Sequence, residues 1–455
     1  VITPQELAVA LGQPPPTDEQ AAVIASPLAP ALVVAGAGSG KTETMAARVV
    51  YLVANGLVDP GHVLGLTFTR KAAAELAARI RRRLHVLVGS SVLPADLSAQ
   101  VAVADPVIGT YHSFAGALIG EFGALAGIQP PSRVLSTTAS WQLARSVVAR
   151  WDGDLDTDLG AERVTQDVLA ISSALADHLA DTRALEDALD DLLGALSTAP
   201  PSQRQRSEVH SGLTDPLRHL ADRRAIVPLV RAYDEAKRAA GAVDFADQMQ
   251  LAALVVTRAP QVGEVLRDRH RVVLLDEYQD TGHAQRGILR ALFGDRGDGP
   301  RPGHPVTAVG DPVQSIYGWR GASASNLPRF GTDFPVPDGS PAPVLPLLTS
   351  FRNAAAVLEL ANTVSEPVRD EPVPVGELRP RPGAPTGTAR WAVAETVQQE
   401  DDWLADAVAE LWSHDETPPA TAVLLRRRSD MPAVAAALRA RGLPVEVVGV
   451  GGLVD

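Results

Sequence analysis

The sequence predicts an α/β fold on a parallel sheet, with a helical inserted subdomain and the beginning of a second α/β domain. Three observations carry this. Short apolar runs alternate with helix-forming segments in the first hundred residues and again near the end, as in strands joined through crossover helices. The middle of the chain changes to helical spacing, with few β-branched runs before Arg271. A glycine-rich loop stands at the first strand-to-helix junction. A length of 455 residues suits about three domains.

The elements follow in order. Ala31 to Ala35 is a short apolar run stopped by glycines, a buried parallel strand. Lys41 to Ala54 is rich in Ala, Met and Val and ends at Asn55-Gly56, a helix with its C-terminal cap. Val63 to Thr67 is a second buried strand, and Arg70 to Leu84 a helix by its Ala, Leu and Arg content. Val168, Ile171, Leu175 and Leu179, then Leu185, Leu189, Leu192 and Leu196, keep helical spacing inside a helical insertion over 115–235, with a loop at Ala199-Pro200-Pro201-Ser202. The sheet resumes at Val272–Leu275 and Val306–Val309. Glu366 to Pro385 holds six prolines and reads as an irregular connection. Ala422–Leu425, Met431–Arg441 and Val445–Val448 read as strand, helix and strand. The expected domains are 1–114 plus 236–345, the insertion 115–235, and a partial second domain 346–455. The start at Val1 and the stop at Asp455, directly after a strand-like run, read as truncation.

Composition excludes several classes. There is no cysteine, hence no disulfide, thiolate zinc site, iron–sulfur cluster or cysteine nucleophile in this sequence. No apolar run approaches the ~18 residues of a membrane helix, and the N-terminus has no signal-peptide pattern. A cytoplasmic protein without membrane contact is expected. The net charge is −13, with 41 basic and 54 acidic residues. The acidity is partly segmental: Asp152 to Asp191 holds twelve acids against two bases, while Arg70 to Arg83 holds six bases against one acid. A local positive groove suffices for nucleic acid, so the sum excludes nothing. Arg79, Arg81, Arg82 and Arg83 fan around a helix and read as a solvated helix end.

Two segments build a nucleotide site. In Ala35-Gly36-Ala37-Gly38-Ser39-Gly40-Lys41-Thr42 the glycines let backbone N–H groups close on phosphates at a helix N-terminus. Lys41 would neutralise phosphate charge and the Thr42 hydroxyl would hold Mg²⁺. Asp276-Glu277-Tyr278-Gln279-Asp280-Thr281 follows a buried strand. There Asp276 suits Mg²⁺ and Glu277 suits orienting the attacking water, the two tasks of nucleoside triphosphate hydrolysis.

With these, Thr67-Phe68-Thr69-Arg70-Lys71-Ala72-Ala73 and Gly310-Asp311-Pro312-Val313-Gln314-Ser315-Ile316-Tyr317-Gly318-Trp319-Arg320-Gly321-Ala322 stand in the order of superfamily 1 DNA helicases. The chain resembles the UvrD/Rep/PcrA/RecB group from Gln20 onward. Gly36 to Gly56 with Thr67 to Ala73 is most similar to the motor of the actinobacterial AdnB-type helicase–nuclease subunit. The resemblance implies RecA-like domains and an ATP- and Mg²⁺-dependent 3′-to-5′ helicase or translocase on single-stranded DNA. It also implies work on DNA ends in break resection and recombinational repair, beside a partner helicase–nuclease subunit. A non-catalytic DNA-binding scaffold subunit is the alternative, and residue types alone do not separate DNA from RNA.

By the same resemblance Gln20 reads adenine, Gln314 senses the γ-phosphate, Arg352 is an arginine finger, Phe351 stands where a base-stacking tyrosine is common, and Arg320 faces the nucleotide cleft. Ala37, Gly38, Ser39 and Gly40 line the phosphates. Phe68, Tyr111, His112, Tyr317 and Trp319 match positions along the DNA strand, with Thr67, Arg70, Lys71, Thr110 and Ser113 toward its phosphates. His112 reads equally as a packing residue. Glu43 stands where related helicases carry an arginine against the base, Arg70 replaces a common asparagine, and Tyr111 replaces a phenylalanine. The group's later motifs, a threonine–histidine segment and a second arginine, are absent from this sequence.

Overall fold

The computed structural model describes residues 1–88, 101, 104–198, 211–295, 303–318, 321–323, 325–369, 373–413 and 419–448. They form two compact units, Val1–Thr386 and Gly387–Asp455. The expected boundary at 345/346 falls inside the first unit, because residues 347–352 and 378–381 bond to its phosphate loop, to Glu19 and to each other.

The first unit begins with α1 (Pro4–Ala10) and α2 (Asp18–Ile24), each opened by a threonine capping box. β1 (Ala31–Ala35), α3 (Lys41–Ala54), β2 (Val63–Thr67), α4 (Arg70–Val88), β3 (Val107–Thr110) and α5 (Tyr111–Phe122) follow. The two-residue strand β4 (Arg133–Val134) leads into the inserted helices α6 (Thr137–Arg150), α7 (Ala161–Asp177), α8 (Thr182–Thr198) and α9 (Ser211–Ala239). β5 (Ala242–Val243) pairs in parallel with β4 and closes the base of the insertion. Then come α10 (Phe245–Arg258), α11 (Gln261–Arg269), β6 (Val272–Leu275), α12 (His283–Phe293), β7 (Val306–Gly310), α13 (Asn326–Asp333) and β8 (Val344–Leu347). β9 (Thr349–Ser350), α14 (Ala355–Ser365) and β10 (Arg379–Pro380) complete the unit.

The main sheet has the order β3-β2-β6-β7-β1-β8, and every pairing is parallel. Its central strands are buried on both faces, which is why they read as continuous apolar runs. One core packs Leu64, Leu66, Val273 and Leu275 against α5, α10 and α12; the other packs Val33, Val63 and Leu274 against α3 and α4. The insertion has its own core of Ala144, Val164, Val168, Ile226, Leu229, Val230 and Tyr233. At its root the buried Lys237 ammonium is ringed by Asp234, Asp244 and Asp247 at 2.8–3.2 Å. Leu179 is not a continuation of the helical stripe: α7 stops at Asp177, and Leu179 has φ +55°. The loop at 199–202 lies outside the described residues.

The second unit packs α15 (Val397–Ser413) on α16 (Met431–Ala440) through Ala405, Val408, Val434 and Leu438. The strands expected at 422–425 and 445–448 do not form among the described residues. Val423, Leu425 and Val445 pack on the two helices, but no ladder partner takes up their backbone groups, and a strand without a partner is not a strand. No helix among the described residues is long and apolar enough to cross a membrane.

Candidate functional site

Six loops leave the same edge of the main sheet, because all six strands run in one direction. The phosphate loop follows β1, Phe68–Lys71 follows β2, and Tyr111–Ser113 follows β3. Asp276–Asp280 follows β6, Asp311–Tyr317 follows β7, and Thr349–Arg352 follows β8. Ligands of parallel sheets bind at this carboxyl edge.

In the phosphate loop Gly38 and Gly40 have φ +75° and +81°, conformations that only glycine adopts without strain. The loop delivers Lys41 and Thr42 to the first turn of α3. Lys41 Nζ lies 3.3 Å from Glu277 Oε2, so residues 236 positions apart meet. Glu277 takes a left-handed backbone, φ 49° and ψ 44°, which costs a residue with a Cβ about 1–2 kcal/mol. Asp276 is buried at the end of β6; one carboxylate oxygen accepts the Glu277 N–H at 3.0 Å. Burial, then the charge of Glu277, raises its pKa to about 6. A buried carboxylate held this high gains from a divalent cation that restores its charge. Among the described residues no cluster of three or more acidic, histidine or cysteine side chains surrounds it. Asp276 is an oxygen donor of the kind Mg²⁺ takes beside water and phosphate, and Thr42 stands in the first turn of α3 behind the phosphate loop.

Gln20 is buried on α2. Its Oε1 accepts the Thr17 N–H at 3.1 Å, and its Nε2 donates to Ser39 O at 3.3 Å, which attaches the helix to the phosphate loop. Ser39 Oγ is buried without a hydrogen-bond partner among the described residues. From β9 onward the chain lies on this loop. Ser350 Oγ donates to Ala37 O at 3.0 Å and the Phe351 N–H donates to Gly38 O at 2.8 Å. A Cβ on Gly38 would sit 2.9 Å from Arg352 Cβ, so this close approach requires glycine. Phe351 and Arg352 are both exposed beside the loop. Gln314 Nε2 donates to Asp311 Oδ2 at 2.5 Å. The expected nucleotide residues are thus on one edge, apart from Arg320, which lies outside the described residues.

The expected strand contacts divide. Arg70 and Lys71 are exposed at the N-terminus of α4, where a helix dipole and two cations favour an anion. Phe68 and Tyr317 stack on each other at 5.5 Å, and both are partly exposed. Thr110 caps α5 through Ser113. His112 meets the exposed Phe245 edge-on at 5.7 Å, and burial lowers its pKa. Thr67 and Tyr111 are instead core residues. Thr67 is fully buried, and the Tyr111 hydroxyl donates to the Asp276 carbonyl at 3.0 Å, so neither offers a surface to a strand. Trp319 lies outside the described residues.

The arginines of α4 divide: Arg81 and Arg82 are exposed, as at a solvated helix end, whereas Arg79 is half-buried and Arg83 is buried. Arg79 and Arg83 both pair with Glu43, and Arg83 is buried there. This turns the Glu43 carboxylate toward α4. Arg81 pairs with Asp105. Four contributors went without a role in the sequence reading. Gln279 bonds Glu277 and Asp311. Asp311 orients Gln314. Glu19 accepts the Leu348 N–H at 2.9 Å and pairs with Arg379. Arg48 caps the end of α2. Gln279 and Asp311 stand inside the recognised motifs, which is the signal that would have found them.

The pattern described as the UvrD/REP helicase N-terminal domain matches residues 16–335. The chain is 30% identical over 426 residues to the ATP-dependent DNA helicase UvrD1 of Mycobacterium tuberculosis, covering 92% of this chain and 48% of that protein. It is 30% identical over 454 residues to UvrD2 of the same species, covering 95% of this chain and 55% of that protein. Against DNA helicase II of Escherichia coli it is 29% identical over 349 residues, 77% of this chain and 40% of that protein. The chain therefore spans about half the length of these curated relatives. A family match over most of the sequence, on motifs gathered at one sheet edge, means that the chain belongs to the UvrD/REP helicase N-terminal domain family.

Proposed function

We propose that this chain carries the ATP-hydrolysing, strand-tracking machinery of a 3′-to-5′ DNA translocase. Single-stranded DNA and DNA ends are its substrates, and break-end resection beside a helicase–nuclease partner of the AdnB type is its setting. The observation that carries the reading is the meeting of Lys41 with Glu277 at 3.3 Å on the edge where the other motif loops emerge. The relatives named as ATP-dependent DNA helicases support the choice of nucleotide and strand.

Each residue then has a task. The phosphate loop from Ala37 to Gly40 wraps the phosphates with backbone N–H groups. Lys41 leaves Glu277 for phosphate oxygens, which frees the carboxylate to orient water. Thr42 and Asp276 hold Mg²⁺, which supplies charge neutralisation when bound. Gln314 and Arg352 face the γ-phosphate, and Phe351 and Gln20 face the base. Phe68, Tyr317 and Trp319 offer ring faces to bases, while Arg70, Lys71, Thr110 and His112 border the strand.

The test is ATP turnover by this chain with and without single-stranded DNA, with Glu277→Gln as control. DNA-stimulated turnover that vanishes in the control supports the reading. DNA binding without nucleotide binding or turnover in the folded chain would favour a scaffold role instead.

A further inference from the structure

We propose that Gln279 is a positioning residue that ties the orientation of Glu277 to the conformation of the Asp311–Tyr317 loop, so that engagement of a strand by that loop sets the hydrolytic rate. The inference rests on the functional reading above and assigns the link between its two halves.

Gln279 is almost completely buried in the turn after β6. Its amide is held at both ends. Nε2 donates to Glu277 Oε2 at 2.7 Å, and Oε1 accepts the Asp311 N–H at 3.0 Å. The amide fits only because Gly310 has no side chain: a Cβ there would lie 2.9 Å from Gln279 Oε1. The Gln279 carbonyl also accepts Ser315 Oγ at 3.4 Å, so backbone and side chain both touch the loop. Beyond Asp311 the path runs through its carboxylate, which accepts Gln314 Nε2 at 2.5 Å and the Val313 N–H at 3.0 Å. The same loop ends at Tyr317, stacked on Phe68.

A rigid planar amide bonded at both ends cannot follow a shift of one partner without moving the other. Displacement of the Asp311 N–H either breaks its bond or turns the amide, and turning the amide carries Glu277 Oε2 with it. Lys41 shares the same carboxylate oxygen. Once Lys41 turns to phosphate, Gln279 is, among the described residues, the donor left to aim it. A misplacement of about 1 Å in a catalytic group lowers turnover by about a hundredfold.

The experiment compares wild type, Gln279→Met and Gln279→Glu in the full chain. Methionine keeps the volume and removes both bonds. Glutamate keeps an acceptor for Asp311 and replaces the donor to Glu277. The readouts are turnover with and without oligo(dT), KM for ATP, binding of labelled oligo(dT), and thermal midpoint. Expected in both variants is at least a tenfold loss of DNA-stimulated turnover, with KM and oligo(dT) affinity within about twofold of wild type. Wild-type DNA stimulation retained within about twofold in both variants would overturn the inference alone. A rise in KM in step with lost turnover would also overturn it, marking Gln279 as part of the general framework. Absence of DNA-stimulated turnover in the wild type would overturn the functional reading, and this inference with it.

Discussion

Phe68 and Tyr317 come from loops after different strands, yet each is the other's stacking partner. Two partly exposed rings in contact form a ledge rather than a slot, since a base cannot enter between rings 5.5 Å apart. A strand laid on this ledge stacks on its outer face. Phe68→Ala removes one ring of the ledge; single-strand affinity should fall by about 1–3 kcal/mol, read by fluorescence anisotropy with labelled oligo(dT). Wild-type affinity in this variant would make the pair a packing contact. At this scale the sequence was legible where chemistry is local. Gly38, Gly40, Lys41 and Thr42 are adjacent, and their spacing alone specifies a loop and a helix start. Tyr111 was not legible, because its burial depends on the Asp276 carbonyl 165 positions away. Arg83 failed for the same reason: its partner Glu43 lies on another helix.

At the scale of elements, α2 and α3 share an apolar core, and one buried polar side chain of α3 ties it to the end of α2. Arg48 donates to the carbonyls of Val23, Ile24, Ser26 and Pro27 at 2.9–3.2 Å and to Thr307 Oγ1 at 3.2 Å. It meets the end of α2 with a cation, where the helix dipole favours one. Among the described residues no carboxylate pairs with it, and burial lowers its pKa to about 10. Arg48→Met leaves those carbonyls without their donor and should lower stability by at least ~2 kcal/mol in urea unfolding. It should also weaken nucleotide binding, because Gln20 rides on α2. Loss of stability with unchanged nucleotide affinity would separate the two roles. The central strands β1, β2, β6 and β7 were legible as apolar runs, and the inserted helices by their spacing; β3 and β8, at the two edges of the sheet and less buried, carry no such run and were not placed from the sequence. The runs at 422–425 and 445–448 carry the same apolar signature but no ladder. Apolar patterning reports burial, and a strand also needs a neighbour for its backbone.

At the scale of the whole molecule, the edge of the sheet opposite the motif loops carries a titration. His270 and His304 sit where the chain enters β6 and β7, and His304 Nε2 lies 2.8 Å from the His270 carbonyl. Burial above all lowers both pKa values to about 4. In the unfolded chain these rings titrate near 6.5. Between those values the unfolded state binds more protons, so their contribution to stability is whole above about pH 6.5 and is lost as pH falls toward 4. The thermal midpoint should drop as pH is lowered from 7 to 5, and His304→Gln should flatten that slope. A slope unchanged in the variant would place the sensitivity elsewhere. A second expectation follows from the division into units. Every described residue assigned to the nucleotide lies within Val1–Thr386, so a fragment of those residues should bind a labelled ATP analogue as the full chain does, measured by anisotropy.

The pairing of Lys41 with Glu277 also gives the protein an internal counter-ion. An incoming triphosphate does not meet a free ammonium; it competes for one already neutralised by the chain. Measured nucleotide affinity is therefore a difference, the gain at phosphate less the loss of the pair. Glu277→Gln removes the competing charge without touching the loop, so this variant should hold a non-hydrolysable ATP analogue more tightly than wild type, by up to about fivefold. On the proposed reading the same exchange would make occupancy self-limiting: as phosphate departs, Glu277 would be at hand to reclaim the lysine.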